Sequence, residues 1–168
     1  MTQQLVTDRL VLRPAVEADG GRFLEGLNDY DVVKWLANAP YPYRESDLCL
    51  SGPDGCSLWP HLAVIEHEGD MIGMVSAEPH LGFWLLRRAW GQGFATEAAR
   101  AMCDAAFGRG VDYIASGFFD GNSSSEGVLT KLGFQYVGES QHWCEPQQKN
   151  LPHHDMWLDR SDWEAQRT

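Results

Sequence analysis

The stretch RRAWGQGFATEAA, residues 87–99, sets two arginines, Trp90 and the pair Gly91 and Gly93 immediately before an alanine-rich run. A helix that starts directly after a strand leaves its first N–H groups without carbonyl partners and places the positive end of its dipole there. Glycine has no Cβ, so Gly91 and Gly93 can take positive φ and let an anion approach the backbone. Arg87 and Arg88 add positive charge beside the turn. The pattern predicts a strand, a tight turn and a helix that together hold an anionic group, with a pyrophosphate the natural candidate. A Walker loop is excluded because no Gly-Lys-Ser/Thr follows. A dinucleotide fingerprint is a poor match, since Thr96 occupies the third glycine position and the preceding strands look antiparallel.

Downstream of this turn, Phe94, Ala98, Met102 and Ala105 share one helical face, with Glu97, Arg100 and Asp104 opposite, until GRG at 108–110 stops the helix. VDYIASGFF (111–119) reads as a strand, Asn122 opens a second helix through Leu132, and Gly133 is placed to end it in the left-handed conformation. FQYVGES (134–140) and HDMWLDR (154–160) complete the strands, joined by a polar loop. Upstream, HLAVIEHE, MIGMVSA and HLGFWLLR form a meander broken at GD (69–70) and EP (78–79). RLVLRP (9–14) reads as a strand, and the two segments between Glu17 and Asn38 as helices with Phe23, Leu24, Leu27, Val32, Val33 and Leu36 inward. A Pro- and Gly-rich stretch, 39–60, reads as a functional flap around one short helix near 45–50. The order is β-α-α-β-β-β-α-β-α-β-β, an α+β chain.

A length of 168 residues, 43% of them hydrophobic, predicts one domain spanning 1–168. Its longest apolar stretches are short, such as GFWLL (82–86), and the opening residues carry no basic and apolar leader pattern, so a soluble, cytoplasmic protein with no membrane partner is expected. The four cysteines, Cys49, Cys56, Cys103 and Cys144, form no CxxC pair and read as reduced structural thiols. A net charge of −11 repels phosphodiester backbones and concentrates cations, which argues against nucleic acid and for an amine.

Arg88-x-x-Gly91-x-Gly93 resembles the R/Q-x-x-G-x-G/A signature of the GNAT superfamily of acyl-CoA N-acyltransferases. TDRLVLRPAVEAD (7–19) resembles the opening of its ribosomal-protein N-terminal acetyltransferase (RimJ/RimL-like) branch, and LGFWLLRRAWGQGFATEA (81–98) its CoA-binding core. NSSSEGVLTKLGFQYVG (122–138) resembles its N-x-x-S-x-x-x-L-x-K-x-G-F segment. Gly127 departs from the family, which usually carries a longer side chain there, and the turn between the 71–77 and 81–86 strands is shorter than in many members. The resemblance implies a single GNAT domain with a mixed, mostly antiparallel splayed sheet of about six or seven strands flanked by about four helices.

It also implies a site. Phe83, Trp84, Leu85 and Leu86 would line one wall of the pantetheine slot through their backbone. Arg87, Arg88, Gly91, Gln92, Gly93, Phe94 and Ala95 would receive the pyrophosphate with the Thr96 hydroxyl, and Asn122, Ser125 and Lys131 would complete the contacts to CoA. The implied reaction moves acetyl from acetyl-CoA to a primary amine by direct attack in a ternary complex. The leading acceptor is a protein or peptide N-terminus. A small-molecule amine (polyamine, aminoglycoside or amino acid derivative) and a non-catalytic acyl-CoA sensor stand as alternatives, and a homodimer is left open.

An alkylammonium with a pKa near about 10 must lose a proton before attack, so a carboxylate or imidazole near the thioester is useful. Glu78 and His80, just upstream of LGFWLL, are the candidate bases. Ser125 is the candidate acid for the departing thiolate, with Tyr136 in reserve, although helix capping alone would also account for Asn122 and Ser125. His142, Cys144, His153 and His154 lack finger-like spacing, so no metal is expected. Trp35, Trp59, Trp143 and Trp157 are candidates to wall an acceptor pocket.

Overall fold

The computed structural model describes residues 4–48, 62–78 and 80–166. A first antiparallel sheet runs in sequence order through β1 (Leu5–Val6), β2 (Val11–Arg13), β3 (Leu62–His67), β4 (Asp70–Ser76) and β5 (Gly82–Leu85). Two helices, α1 (Gly20–Leu27) and the four-residue α2 (Tyr30–Val33), precede β3. After β5 come α3 (Phe94–Gly108), β6 (Tyr113–Phe119) and α4 (Ser123–Leu132). The long strands β7 (Gln135–Cys144) and β8 (Lys149–Asp159) and the short α5 (Arg160–Ala165) complete the described chain. The last three strands form a second antiparallel sheet with β8 between β6 and β7.

Strand β4 reads as an unbroken apolar run because both its faces are covered. Met71 and Met74 pack with Phe23 and Leu27 of α1, whereas Ile72 and Val75 join the core beneath α3. An irregularity in the β3–β4 register at Ile65/Glu66 permits that parity. Helix α3 presents Phe94, Ala98, Met102 and Ala106 to this core, which also takes Leu12, Ile65 and Val75 from the first sheet and Ile114, Met156 and Leu158 from the second. One apolar layer under α3 therefore spans both sheets.

Among the described residues, backbone bonds join the two sheets at one end only. His80 and Ala115 form an isolated parallel bridge, Leu81 N–H donates to the Ala115 carbonyl at 2.9 Å, and Ser116 Oγ donates to the Leu81 carbonyl at 2.8 Å. Beyond it, among the described residues, β5 pairs only with β4, and β6 only with β8, so the two strands part and leave a wedge between them.

The α+β class and the splayed sheet hold, with eight strands and five helices among the described residues. The strand expected over 9–14 is the second arm of a tight hairpin, with Leu5 and Val6 opposite Leu12 and Val11. The polar loop expected between Ser140 and His154 is instead strand: β7 and β8 stay paired out to Cys144 and Lys149. Their side chains there are largely solvated, so alternation is weak while the backbone ladder continues. The helix expected near 45–50 is a 3₁₀ turn at Glu45–Asp47, and the rest of that expected flap, 49–60, lies outside the described residues.

Gly73 sits where β4 meets β5, and a Cβ there would lie 2.1 Å from the Trp84 carbonyl oxygen and 2.9 Å from Leu85 Cα. Gly73→Ala is expected to pry this pair apart and cost about 1–3 kcal/mol, read as a lower denaturant midpoint.

Candidate active site

Gly93 caps α3 with φ 81°, and Gly91 has φ 73°, so both glycines take the left-handed conformation. The helix geometry leaves the amides of Phe94, Ala95 and Thr96 without carbonyls one turn earlier. This end of α3 is fastened by the N-terminal hairpin. Arg9 bonds the Gln92 carbonyl at 2.9 Å and Glu97 at 2.7 Å, and its guanidinium lies 4.5 Å from the centroid of the Phe94 ring. Glu97 also accepts from the Thr7 hydroxyl at 2.6 Å and the Arg9 amide at 2.9 Å. Burial disfavours the Glu97 carboxylate, but these donors outweigh it and hold the pKa below the ordinary 4.5.

A cleft of about 510 Å³ opens from this turn into the wedge between the sheets. One wall is Phe83, Trp84 and Leu85 of β5, and the floor is Trp90, Gly91 and Gly93 to Thr96. The opposite wall is the start of α4, from Asn122 to Ser125, with Gly127, Val128 and Lys131. Asp31 to Leu36, without Val33, close it from the α2 side. A Cβ on Gly127 would meet nothing within 4 Å, so that helix leaves free volume at the wall.

Asn122 Oδ1 accepts the Ser125 amide at 3.3 Å, and Asn122 Nδ2 donates to Ser125 Oγ at 3.2 Å. The cap is thus supplied by Asn122, and the Ser125 oxygen receives a proton donor while its own hydroxyl proton remains for the cleft.

The arginines depart from expectation. Arg87 is paired with Asp29 at 2.5 Å and Asp31 at 2.6 Å, and Arg88 with Asp70 at 2.7 Å and Glu25 at 3.5 Å. Neither guanidinium lines the cleft, because the carboxylates of α1, α2 and β4 neutralise them. Positive charge at the cleft comes from the α3 terminus, Lys131 and Lys34, the last of them paired with Asp31 at 2.8 Å. Gln92 turns its amide onto the Arg88 carbonyl at 3.0 Å, and Leu86 is buried.

Glu78 accepts from Arg109 Nε at 3.1 Å, and His80 is exposed at the bridge; neither lines the cleft. Tyr136 stands 57% exposed on β7, with β8 between it and the wedge strand β6, so the structure does not bring it to Ser125. Trp35 lines the cleft, whereas Trp157 stacks on Tyr113 at 4.4 Å and Trp143 donates to Glu145 at 2.7 Å. Trp59, Cys49 and Cys56 lie outside the described residues, and Cys103 is buried with its thiol pushed up to about 12 by desolvation. One group sequence reasoning had not assembled is His142, His153 and Asp155, whose ligating atoms all lie within 4.8 Å of one another. Among the described residues no helix is long and apolar enough to cross a membrane.

Residues 9–135 match the family model described as an acetyltransferase (GNAT) domain. The uncharacterized protein YkkB of Bacillus subtilis (strain 168) is 29% identical over 159 residues, covering 85% of this chain and 91% of that protein. An acetyltransferase (GNAT family) from Bacillus anthracis superposes with a TM-score of 0.81 at 17% identity, over 95% of this chain and 99% of that one. The ribosomal-protein-S5-alanine acetyltransferase from Vibrio fischeri gives 0.72 at 18%, over 96% and 98%.

Two outcomes follow from this geometry. Gly93→Val puts a branched side chain at φ 81° on the anion turn, and should weaken acetyl-CoA binding tenfold or more by calorimetry while circular dichroism stays native. Because the folded pKa of Glu97 is depressed, its contribution is complete above the ordinary 4.5 and is lost as pH falls through the lowered folded value. The Tm advantage of the wild type over Glu97→Gln should therefore be flat near neutrality and vanish in that acidic window.

Proposed function

Because the chain belongs to the GNAT acetyltransferase family, and is an acetyl-CoA-dependent N-acetyltransferase, we propose that it acetylates the primary amine of a protein or peptide N-terminus by direct attack in a ternary complex. The observation that carries the donor half is the wedge between β5 and β6, closed at the His80–Ala115 bridge and ending at the amides of α3. A pantetheine arm is a strand-like chain of amides, and the edge of β5 turned away from β4 offers it backbone groups as a neighbouring strand would, although the Leu85 carbonyl already accepts the Trp90 indole N–H at 2.9 Å and the Leu86 amide is bonded to Ile72. The amides from Arg88 to Ala95 and the Thr96 hydroxyl receive the pyrophosphate, with Asn122 and Lys131 on the far wall.

The acceptor half rests on charge and on relatives. A net charge of −11 draws a cationic amine, and the Vibrio fischeri neighbour is an alanine acetyltransferase of ribosomal protein S5. The free amine attacks the thioester carbonyl carbon, the C–N bond forms, and the C–S bond breaks as sulfur takes its electron pair. Ser125 supplies the proton to that sulfur, since its oxygen is held by Asn122 and its hydroxyl faces the cleft wall.

Ser125→Ala is expected to lower kcat by roughly 10- to 1000-fold with acetyl-CoA affinity retained. A pure capping role would instead leave turnover intact and cost about 1 kcal/mol of stability. Thiol release should be fastest with short peptides carrying a free N-terminus; faster release with polyamines or aminoglycosides than with any peptide overturns the acceptor assignment. Affinity for CoA should fall with added salt and exceed that for pantetheine.

A further inference from the structure

Strand β8 runs between the wedge strand β6 and the outer strand β7. Met156 and Leu158 point into the core beneath α3, so the alternate residues His153 and Asp155 point to the opposite face. That is the side on which α1 and α2 cover the first sheet. The end of α2 is tied to the β7–β8 turn, where the Lys34 carbonyl accepts Gln147 Nε2 at 2.8 Å and Cys144 Sγ at 3.3 Å.

On this face His153 does not stand over its own strand. A Cβ on Gly117 of β6 would lie 2.2 Å from His153 Cε1 and 2.9 Å from Nε2, so the ring occupies the place that any other side chain at 117 would fill. Gly117 is two residues past the bridge at Ala115, where β6 leaves β5. The ring edge is held by Phe119 at 5.4 Å between centroids and by His142 at 4.4 Å. Nδ1 lies 2.7 Å from Asp155 Oδ1, which also accepts Ser140 Oγ at 3.0 Å. An ionised carboxylate only accepts, so Nδ1 carries the hydrogen and Nε2, the nitrogen over the wedge strand, keeps its lone pair.

We propose that His153 is the general base of the acetyl transfer, with Nε2 accepting the proton of the incoming ammonium and Asp155 acting as a positioning residue. This rests on the acetyltransferase reading above. Ser125 lines the cleft from α4, and the His153 ring, outside that lining, stands over Gly117 of the wedge strand β6. The ammonium gives one proton to Nε2, and its lone pair forms the C–N bond. Sulfur leaves with the C–S pair and takes the Ser125 proton. One of the two N–H protons left on nitrogen restores the serine while the amide keeps the other, and His153 returns its own to solvent.

The groups around His153 favour its neutral form. Burial lowers its pKa from 6.5, with His142 and, from the other face, His154 in the same direction; Asp155 pulls upward without reversing the shift. His154 is itself engaged with Asp120 at 3.1 Å and with Glu139 at 3.7 Å.

The test measures thiol release against pH for wild type, His153→Gln and Asp155→Asn, with calorimetry of acetyl-CoA binding on each. His153→Gln should lose about 100-fold or more in kcat/KM for the amine with acetyl-CoA affinity unchanged, and should recover steadily with rising pH as free amine accumulates. Wild type should show an acidic limb below pH 6.5. Asp155→Asn should lower kcat and move that limb further down, because the carboxylate that raises His153 is gone; a merely structural Asp155 would leave the limb in place. Turnover of His153→Gln within about threefold of wild type, limb unchanged, overturns the proposal and leaves the acetyltransferase reading standing. Wild type that binds acetyl-CoA but releases thiol with no amine overturns both. Loss of wild-type activity to a chelator, regained with zinc, and an equal loss in His142→Ala mark the cluster as a metal site and overturn the proposal.

Discussion

The site depends on two sheets being joined at one end and nowhere else along their facing strands. The Leu81 amide and the Ser116 hydroxyl fasten β5 to β6 at the His80–Ala115 bridge, and the common core beneath α3 keeps both sheets under one helix. Between these restraints the strands diverge, and among the described residues β5 pairs only with β4 and β6 only with β8, so each keeps its second edge facing the gap. The result is a backbone edge with no neighbouring strand, capped at the Leu85 carbonyl by the Trp90 indole, an arrangement that suits an extended, amide-bearing ligand.

The mouth of that wedge is organised by charge of a different kind from the one composition suggests. The chain is acidic, and its two arginines beside the glycine turn are spent on Asp29, Asp31, Asp70 and Glu25. These pairs sit at the surface, where each contributes little stability, but they fasten the β5–α3 connection to α1, α2 and β4. The anion-binding capacity then falls to oriented amides, which carry no counter-charge to be neutralised and which Arg9 and Glu97 hold at a fixed angle to the sheet. Across the second sheet, His153 and Asp155 form an imidazole–carboxylate pair set by the pairing of β8 with β6.

The sequence by itself determined the parts whose cause is local. The left-handed turn at Gly91 and Gly93, the start of α3 at Phe94, the Asn122 cap and the Gly133 stop all follow from residue chemistry within a few positions. So does the apolar meander, whose apolar runs and turn residues need no knowledge of partners. Tertiary structure alone decided which groups meet across the chain. Arg109 reaches Glu78 over 31 positions and Asp29 reaches Arg87 over 58, so two expected functional charges are consumed by pairs no local pattern announces. The outer part of the β7–β8 ladder, between Ser140 and His154, was illegible because solvated residues carry no burial period, and with it was lost the register that sets His153 over Gly117. A sequence states which side chains lie on one face of a strand; which strand lies beside it is a matter of long-range pairing, where Gly117, His142, His153 and Asp155 become one site.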